Sequence, residues 1–124
     1  FEAIPSKRFA LNYDPSHLVL QQMDYIAPIY AFAEKIKHVH IKDMKFYREK
    51  YDQYGFLATP QLYHSPKLPG LGDINWGSVI SALNDIRYDG PITIETEDRA
   101  YEDSLESRIE GIRLSRRYMS QFLA

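Results

Sequence analysis

The chain has 124 residues, 15 Lys and Arg against 17 Asp and Glu, 44 % hydrophobic residues and no cysteine. That composition is globular, and it excludes disulfide frameworks, thiolate metal sites and cysteine nucleophiles. Its apolar runs are broken well short of the roughly 18 residues a membrane helix needs, and its mixed charges leave no basic stripe for nucleic acid. A soluble, cytoplasmic single domain is the expectation, with ten tyrosines to offer polar-tipped rings to an oxygen-rich ligand or an interface.

The first predicted strand covers residues 9–13, Phe-Ala-Leu-Asn-Tyr, and ends at Asp14. In Tyr13-Asp14-Pro15-Ser16-His17 a carboxylate and an imidazole stand three residues apart around a proline. They can share a pocket, or Asp14 can simply cap a short helix opened by Pro15. A helix follows over residues 24–36, capped by Asp24, with Pro28 in its first turns and Tyr25, Ile29, Phe32, Ala33 and Ile36 on one face.

The second strand covers residues 37–42, where His38, His40 and Lys42 alternate and so face one side of the sheet. His40, nearer the carboxyl end, is the better ligand candidate, and Lys42 could neutralise an oxyanion. Asp43 begins the loop. Residues 44–73 read as a long irregular connection with a short helix over 46–54, and they hold Tyr47, Tyr51, Tyr54 and Tyr63. A connection of that length is more often a lid or binding loop than filler.

The run Pro69-Gly70-Leu71-Gly72-Asp73-Ile74-Asn75-Trp76 then opens a second main helix carrying Trp76, Val79, Ile80, Leu83 and Ile86. Its glycines provide a tight turn and lack the companions of a nucleotide-phosphate loop. The third strand, residues 91–95, ends in Glu95, with Glu97 and Asp98 close behind. Three carboxylates so near one another repel unless a cation, a helix N-terminus or protonation relieves the charge. The last helix covers about residues 102–122, with Leu105, Ile109, Ile112, Met119 and Phe122 as its apolar stripe.

A strict βαβαβα order calls for a parallel α/β sheet with right-handed crossovers. In such sheets ligands lie beyond the carboxyl ends of the strands. Asp14, His40 and Glu95 fall there, one donor per strand, and oxygen and nitrogen donors of this kind suit Mg, Mn, Co or Zn.

Four motifs resemble, in order, the last strand ends of the xylose isomerase-like TIM barrels: Asn12-Tyr13-Asp14-Pro15-Ser16-His17, Val39-His40-Ile41-Lys42-Asp43, the Pro-Gly-Leu-Gly turn, and Ile92-Thr93-Ile94-Glu95-Thr96-Glu97-Asp98. The resemblance implies that the chain is a single partial domain, about strands six to eight of a (β/α)8 barrel, with a further stretch of barrel upstream. It implies one divalent metal held by Asp14, His40 and Glu95, with another ligand, a Glu, on an earlier strand. His17, Lys42 and Lys67 would then contact substrate, and Glu95 would remove a proton beside a carbonyl to give an enediolate. A metal-dependent sugar or sugar-phosphate isomerase or epimerase is thus the expected activity, absent from this stretch taken alone. The alternatives are a lyase of the inosose or dehydroshikimate dehydratase type, and a non-catalytic partial-barrel module. The apurinic endonuclease branch fits less well, because Tyr63-His64-Ser65-Pro66-Lys67 lacks the Asp-x-His pair expected before the glycine turn. The expected partners are a sugar or cyclitol, the rest of the barrel and a second copy of the chain.

Overall fold

The computed structural model describes residues 1–123. In chain order its elements are β1 (Leu11–Tyr13), α1 (Ser16–Leu20), α2 (Ala27–Ala31), β2 (Ile36–Ile41), β3 (Asp43–Phe46), α3 (Arg48–Tyr54), β4 (His64–Lys67), α4 (Trp76–Asp85), β5 (Ile92–Ile94) and α5 (Leu105–Met119). Single 3-10 turns lie at Ala33–Lys35, Pro60–Leu62 and Arg99–Tyr101. The three predicted strands pair in parallel in the order β1-β2-β5, with Tyr13 opposite Val39 and Val39 opposite Ile92. Their carboxyl ends therefore lie side by side.

Alternation along β2 divides its side chains between two environments. Val39 and Ile41 are fully buried in a core with Tyr13, Ile29 and the α4 residues Trp76, Val79, Ile80 and Leu83. His38 and His40 face the other side, their ring centroids 5.2 Å apart, and bond to Thr93 and Asn12 respectively. Each large apolar side chain taken fully out of water contributes about 1.5–3 kcal/mol, so α4, with Trp76 and Val79 fully buried, anchors the sheet's covered face. It starts where the sequence places it, Asn75 Oδ1 accepting from the Ser78 N–H at 3.0 Å.

Three elements differ from the sequence expectation. The helix expected over residues 24–36 is reduced to α2 and a 3-10 turn, and Ile36 belongs to β2. Asp24 still accepts from the Ile26 and Ala27 N–H groups, but the chain turns early so that Ile36, 2 % exposed, can enter the core. The connection over residues 44–73 is ordered as the antiparallel pair β3–β4 bracketing α3.

On α5 the expected apolar stripe divides: Leu105, Ile109 and Ile112 are exposed, whereas Met119 is buried and Phe122 packs against the core, and Gly111 and Ser115 take the buried positions in between. Small side chains let this helix approach closely, since a β-carbon at Gly111 would lie 3.3 Å from Tyr101 and 3.5 Å from Leu68. Ser115 satisfies its hydroxyl on the Gly111 carbonyl at 2.8 Å. Among the described residues no helix is long and apolar enough to cross a membrane.

Candidate metal centre and its cleft

Each sheet strand delivers one donor to the same place. Asp14 follows β1, His40 is the penultimate residue of β2, and Glu95 follows β5, its N–H still bonded to the Ile41 carbonyl at 3.0 Å. One donor atom from each of the three lies within 4.8 Å of the other two. The two oxygens of Asp14 divide the roles that its sequence context leaves open. Oδ1 accepts from the Ser16 N–H at 2.9 Å, fixing the turn into α1, while Oδ2 points towards the cluster.

Lys42 sits among these carboxylates. Its ammonium is 3.0 Å from Glu95, 3.1 Å from Glu97 and 3.5 Å from Asp14. Burial alone would lower the Lys42 pKa, but its contacts with Glu95 and Glu97 and the charge of Asp14 outweigh that cost and raise it. The same ammonium holds the Glu95 carboxyl below its ordinary range, with smaller help from His40 and His17, against the opposing effect of burial. His17 Nε2 lies 3.3 Å from Asp14 and His40 Nδ1 lies 3.6 Å from Glu95.

Asp14 Oδ2 and Glu95 Oε2 are shielded from solvent, yet neither receives a well-directed hydrogen bond among the described residues; Lys42 approaches them as a charge. Two carboxylate oxygens that share one ammonium are only partly compensated. Two such oxygens beside an imidazole fit the donor chemistry of a divalent cation such as Mg, Mn, Co or Zn.

Lys42, His17 and Glu97 also line an adjoining cleft of about 530 Å3, roofed by β4 and reaching Ser16, His64 and Arg99. Lys67 stands apart from that lining. Its ammonium is 3.1 Å from Asp98, a carboxylate 2 % exposed that also accepts from the Leu68 and Ala100 N–H groups. Asp98 thereby ties β4 to the turn after β5, a role that its place in the sequence does not reveal.

Asp43, expected to begin a loop, is instead the first residue of β3. That fully buried carboxylate accepts from the N–H groups of Met44 (2.8 Å), Gly70 (2.9 Å) and Ile74 (3.1 Å) and from the Trp76 indole (3.0 Å). It clamps the glycine turn to the end of β2. Gly72 has no room for a side chain, because a β-carbon there would collide with the Asp43 carboxylate and lie 2.7 Å from the Met44 carbonyl. Gly70 adopts φ +89° beneath the Tyr118 ring. The available sequence signal was the pairing of an acid at a strand end with a downstream Gly-x-Gly.

Residues 1–121 match the family model described as xylose isomerase-like TIM barrel. The chain belongs to that family. Among curated relatives, it is 34 % identical over 107 residues to an inosose dehydratase of Clostridium tetani and 31 % identical over 105 residues to one of Clostridium perfringens. Each alignment covers 82 % of this chain and 35 % of the relative, so the chain spans about a third of the length of these proteins. Among solved structures, a xylose isomerase domain protein of Alicyclobacillus acidocaldarius superposes with a TM-score of 0.67 at 22 % identity, over 98 % of this chain and 39 % of that one. A D-tagatose 3-epimerase-like protein superposes at 0.57 with 20 % identity, over 96 % and 38 %. These likenesses establish the fold: the three parallel strands and their helices are part of a TIM barrel.

Proposed function

We propose that this chain forms the C-terminal part, about strands six to eight, of a metal-dependent barrel enzyme that removes a proton beside the carbonyl of a sugar or cyclitol, dehydration of an inosose-like ketone being the reaction. The observation that carries the reading is the donor set itself: Asp14, His40 and Glu95 at three adjacent strand ends, with two solvent-shielded carboxylate oxygens that share the single Lys42 ammonium. Dehydration comes first because the curated relatives at about a third identity are named inosose dehydratases. The exposed apolar stripe of α5 and the open edges of a three-stranded sheet support the placement within a larger barrel.

In this reading Asp14, His40 and Glu95 hold one divalent ion together with a ligand from elsewhere in the barrel. When bound, the ion supplies a Lewis acid that acidifies the C–H next to the ketone. Glu95, kept ionised beside Lys42, accepts that proton as the C–H bond breaks and the electron pair moves into an enolate. Lys42 donates to the developing oxyanion. As the enolate re-forms the ketone, the C–O bond at the next carbon breaks, and His17 protonates the departing hydroxyl to give water. Lys67 serves the site from outside the cleft, by holding Asp98 and the turn that carries Glu97.

Isomerisation or epimerisation is the second reading, since the same enolate can be reprotonated on carbon; the fold likeness to the epimerase-like protein supports it. Incubating the intact protein with an inosose in D2O separates the two. Dehydration gives an enone absorbance and loss of water, whereas epimerisation gives deuterium on carbon with water retained. His40→Ala and Glu95→Gln should each lower turnover by about 10²- to 10⁴-fold, and unchanged turnover in either variant refutes the assignment.

A further inference from the structure

His40 presents one ring nitrogen to the carboxylate cluster and turns the other away from it. Asn12 lies opposite His38 in the β1–β2 register, next to Tyr13, which is buried on the core side with Val39. Alternation therefore puts the Asn12 side chain on the face of the sheet that carries His38 and His40. There its amide nitrogen is 3.1 Å from His40 Nε2. An amide nitrogen only donates, so Nε2 accepts, and the hydrogen of the neutral ring is on Nδ1. Nδ1 in turn lies 3.6 Å from Glu95 Oε2, one of the two solvent-shielded oxygens of the cluster. An N–H facing a carboxylate is attracted to it, whereas a nitrogen lone pair in the same place would be repelled.

A cation held by Asp14, His40 and Glu95 needs the opposite tautomer. Nδ1 is the ring nitrogen on the side of Glu95, and a ligand nitrogen must present a lone pair. The ring hydrogen then belongs on Nε2, where it would face the Asn12 N–H. Half a turn of the Asn12 amide removes that conflict, because it exchanges the NH2 donor for the carbonyl acceptor at the same place. The ring gives the Nδ1 hydrogen to solvent and takes one from solvent at Nε2, so the proton count of His40 does not change. An aspartate at this position could only accept, and a leucine could do neither. His38 does not compete for this role, since its own Nε2 is engaged 2.7 Å from the Thr93 hydroxyl.

We infer that Asn12 is a positioning residue for the metal centre: it donates to His40 Nε2 in the metal-free protein and, by reversing its amide, accepts from Nε2 when Nδ1 ligates a divalent cation. The inference rests on the metal site of the proposed function. It adds to that site a residue that acts only through His40 and sets which tautomer the ring adopts.

The test is a long-range proton–nitrogen correlation spectrum of the intact protein labelled with nitrogen-15 in its histidines, at about pH 8.5, above the ordinary imidazole range. Spectra are recorded in EDTA and then with Zn2+, and the His40 signals are assigned by their loss in His40→Gln. In EDTA the hydrogen should be on Nδ1, and with Zn2+ it should be on Nε2. The same tautomer in both spectra, or Zn2+ bound at Nε2, overturns the inference. This arm uses the wild-type chain, so a folding defect in a variant does not touch it. Calorimetric titration with Zn2+ gives the second arm. Asn12→Leu should bind Zn2+ about tenfold to a hundredfold more weakly. Asn12→Asp, which keeps an acceptor for the Nε2 hydrogen, should restore most of that affinity and show the hydrogen on Nε2 already in EDTA. Wild-type Zn2+ affinity in Asn12→Leu overturns the inference. Glu95→Gln separates the two levels: wild-type Zn2+ affinity there refutes the metal centre and this inference with it, whereas lost affinity there beside wild-type affinity in Asn12→Leu refutes this inference alone.

Discussion

Lys42 and Asp43 are neighbours where β2 passes into β3, yet they stand in opposite kinds of environment. Asp43 is a buried carboxylate whose two oxygens accept four N–H groups, all neutral and all fixed by backbone or indole geometry. Its charge is spread over donors that cannot leave, which is how a carboxylate becomes part of a scaffold. Lys42 faces three carboxylates, and two of their oxygens are shielded from water without a directed hydrogen bond. There the compensation is Coulombic and exchangeable, so a second cation can compete for the same oxygens. A satisfied buried charge is a structural clamp, whereas a half-satisfied cluster one residue away is free to bind.

The contrast is broken most directly at Asp43. Asp43→Ala leaves four donors without an acceptor and should lower stability by about 3–5 kcal/mol, read by urea unfolding of the intact protein. A loss below about 1 kcal/mol would mean that the clamp is ornamental. Gly72→Ala attacks the same clamp from the other side, by pushing a methyl group into the Asp43 carboxylate. It should cost about 1–3 kcal/mol, and the native near-ultraviolet circular dichroism of the Trp76 environment should change with it.

At the other cluster the readout reverses. His40→Ala and Glu95→Gln should change metal-free stability by less than about 1 kcal/mol, while divalent-ion affinity measured by titration calorimetry falls by about a hundredfold or more. Equal loss of stability at Asp43 and Glu95 would erase the distinction. The smallest effect concerns pH. The Glu95 pKa in the folded protein is lowered beneath its usual 4.5, so its pairing with Lys42 stabilises the metal-free protein fully above that value. The contribution is lost as pH falls through the lowered folded value. Because Glu95 is partly exposed, the loss should be under about 1 kcal/mol, visible as a slightly steeper decline of melting temperature below pH 4.5 in wild type than in Glu95→Gln.

Much of this site could be read from the chain because each donor ends a short apolar strand. A strand of alternating residues followed by Asp14, His40 or Glu95 predicts a donor at a carboxyl edge, and parallel pairing then brings such edges together. The helix α4 was legible for the same local reasons, an Asn75 cap and a 3.6-residue apolar period. The α5 stripe was right at Met119 and Phe122 and misled at its start, because Leu105, Ile109 and Ile112 have the period of a buried face while the contacts available within this chain favour Gly111 and Ser115. Residues 44–73 gave no strand signal strong enough to reveal β3–β4. His64-Ser65-Pro66-Lys67 is polar and contains a proline, which belongs to an edge strand and conceals its pairing.

The sequence by itself determined the α/β order, the three strand-end donors, the glycine turn and the family resemblance, because each rests on periodicity or on residues close together in the chain. Tertiary structure alone decided which charges are satisfied. Asp43 and Gly70 are 27 residues apart, Lys67 and Asp98 are 31 apart, and Lys42 reaches Glu95 only across the β2–β5 pairing. Hydrogen-bond satisfaction depends on distance and angle in space, and local pattern contains neither. That is why a chain position reads as acid or imidazole from sequence, but as clamp, ligand or acceptor only once the chain is folded.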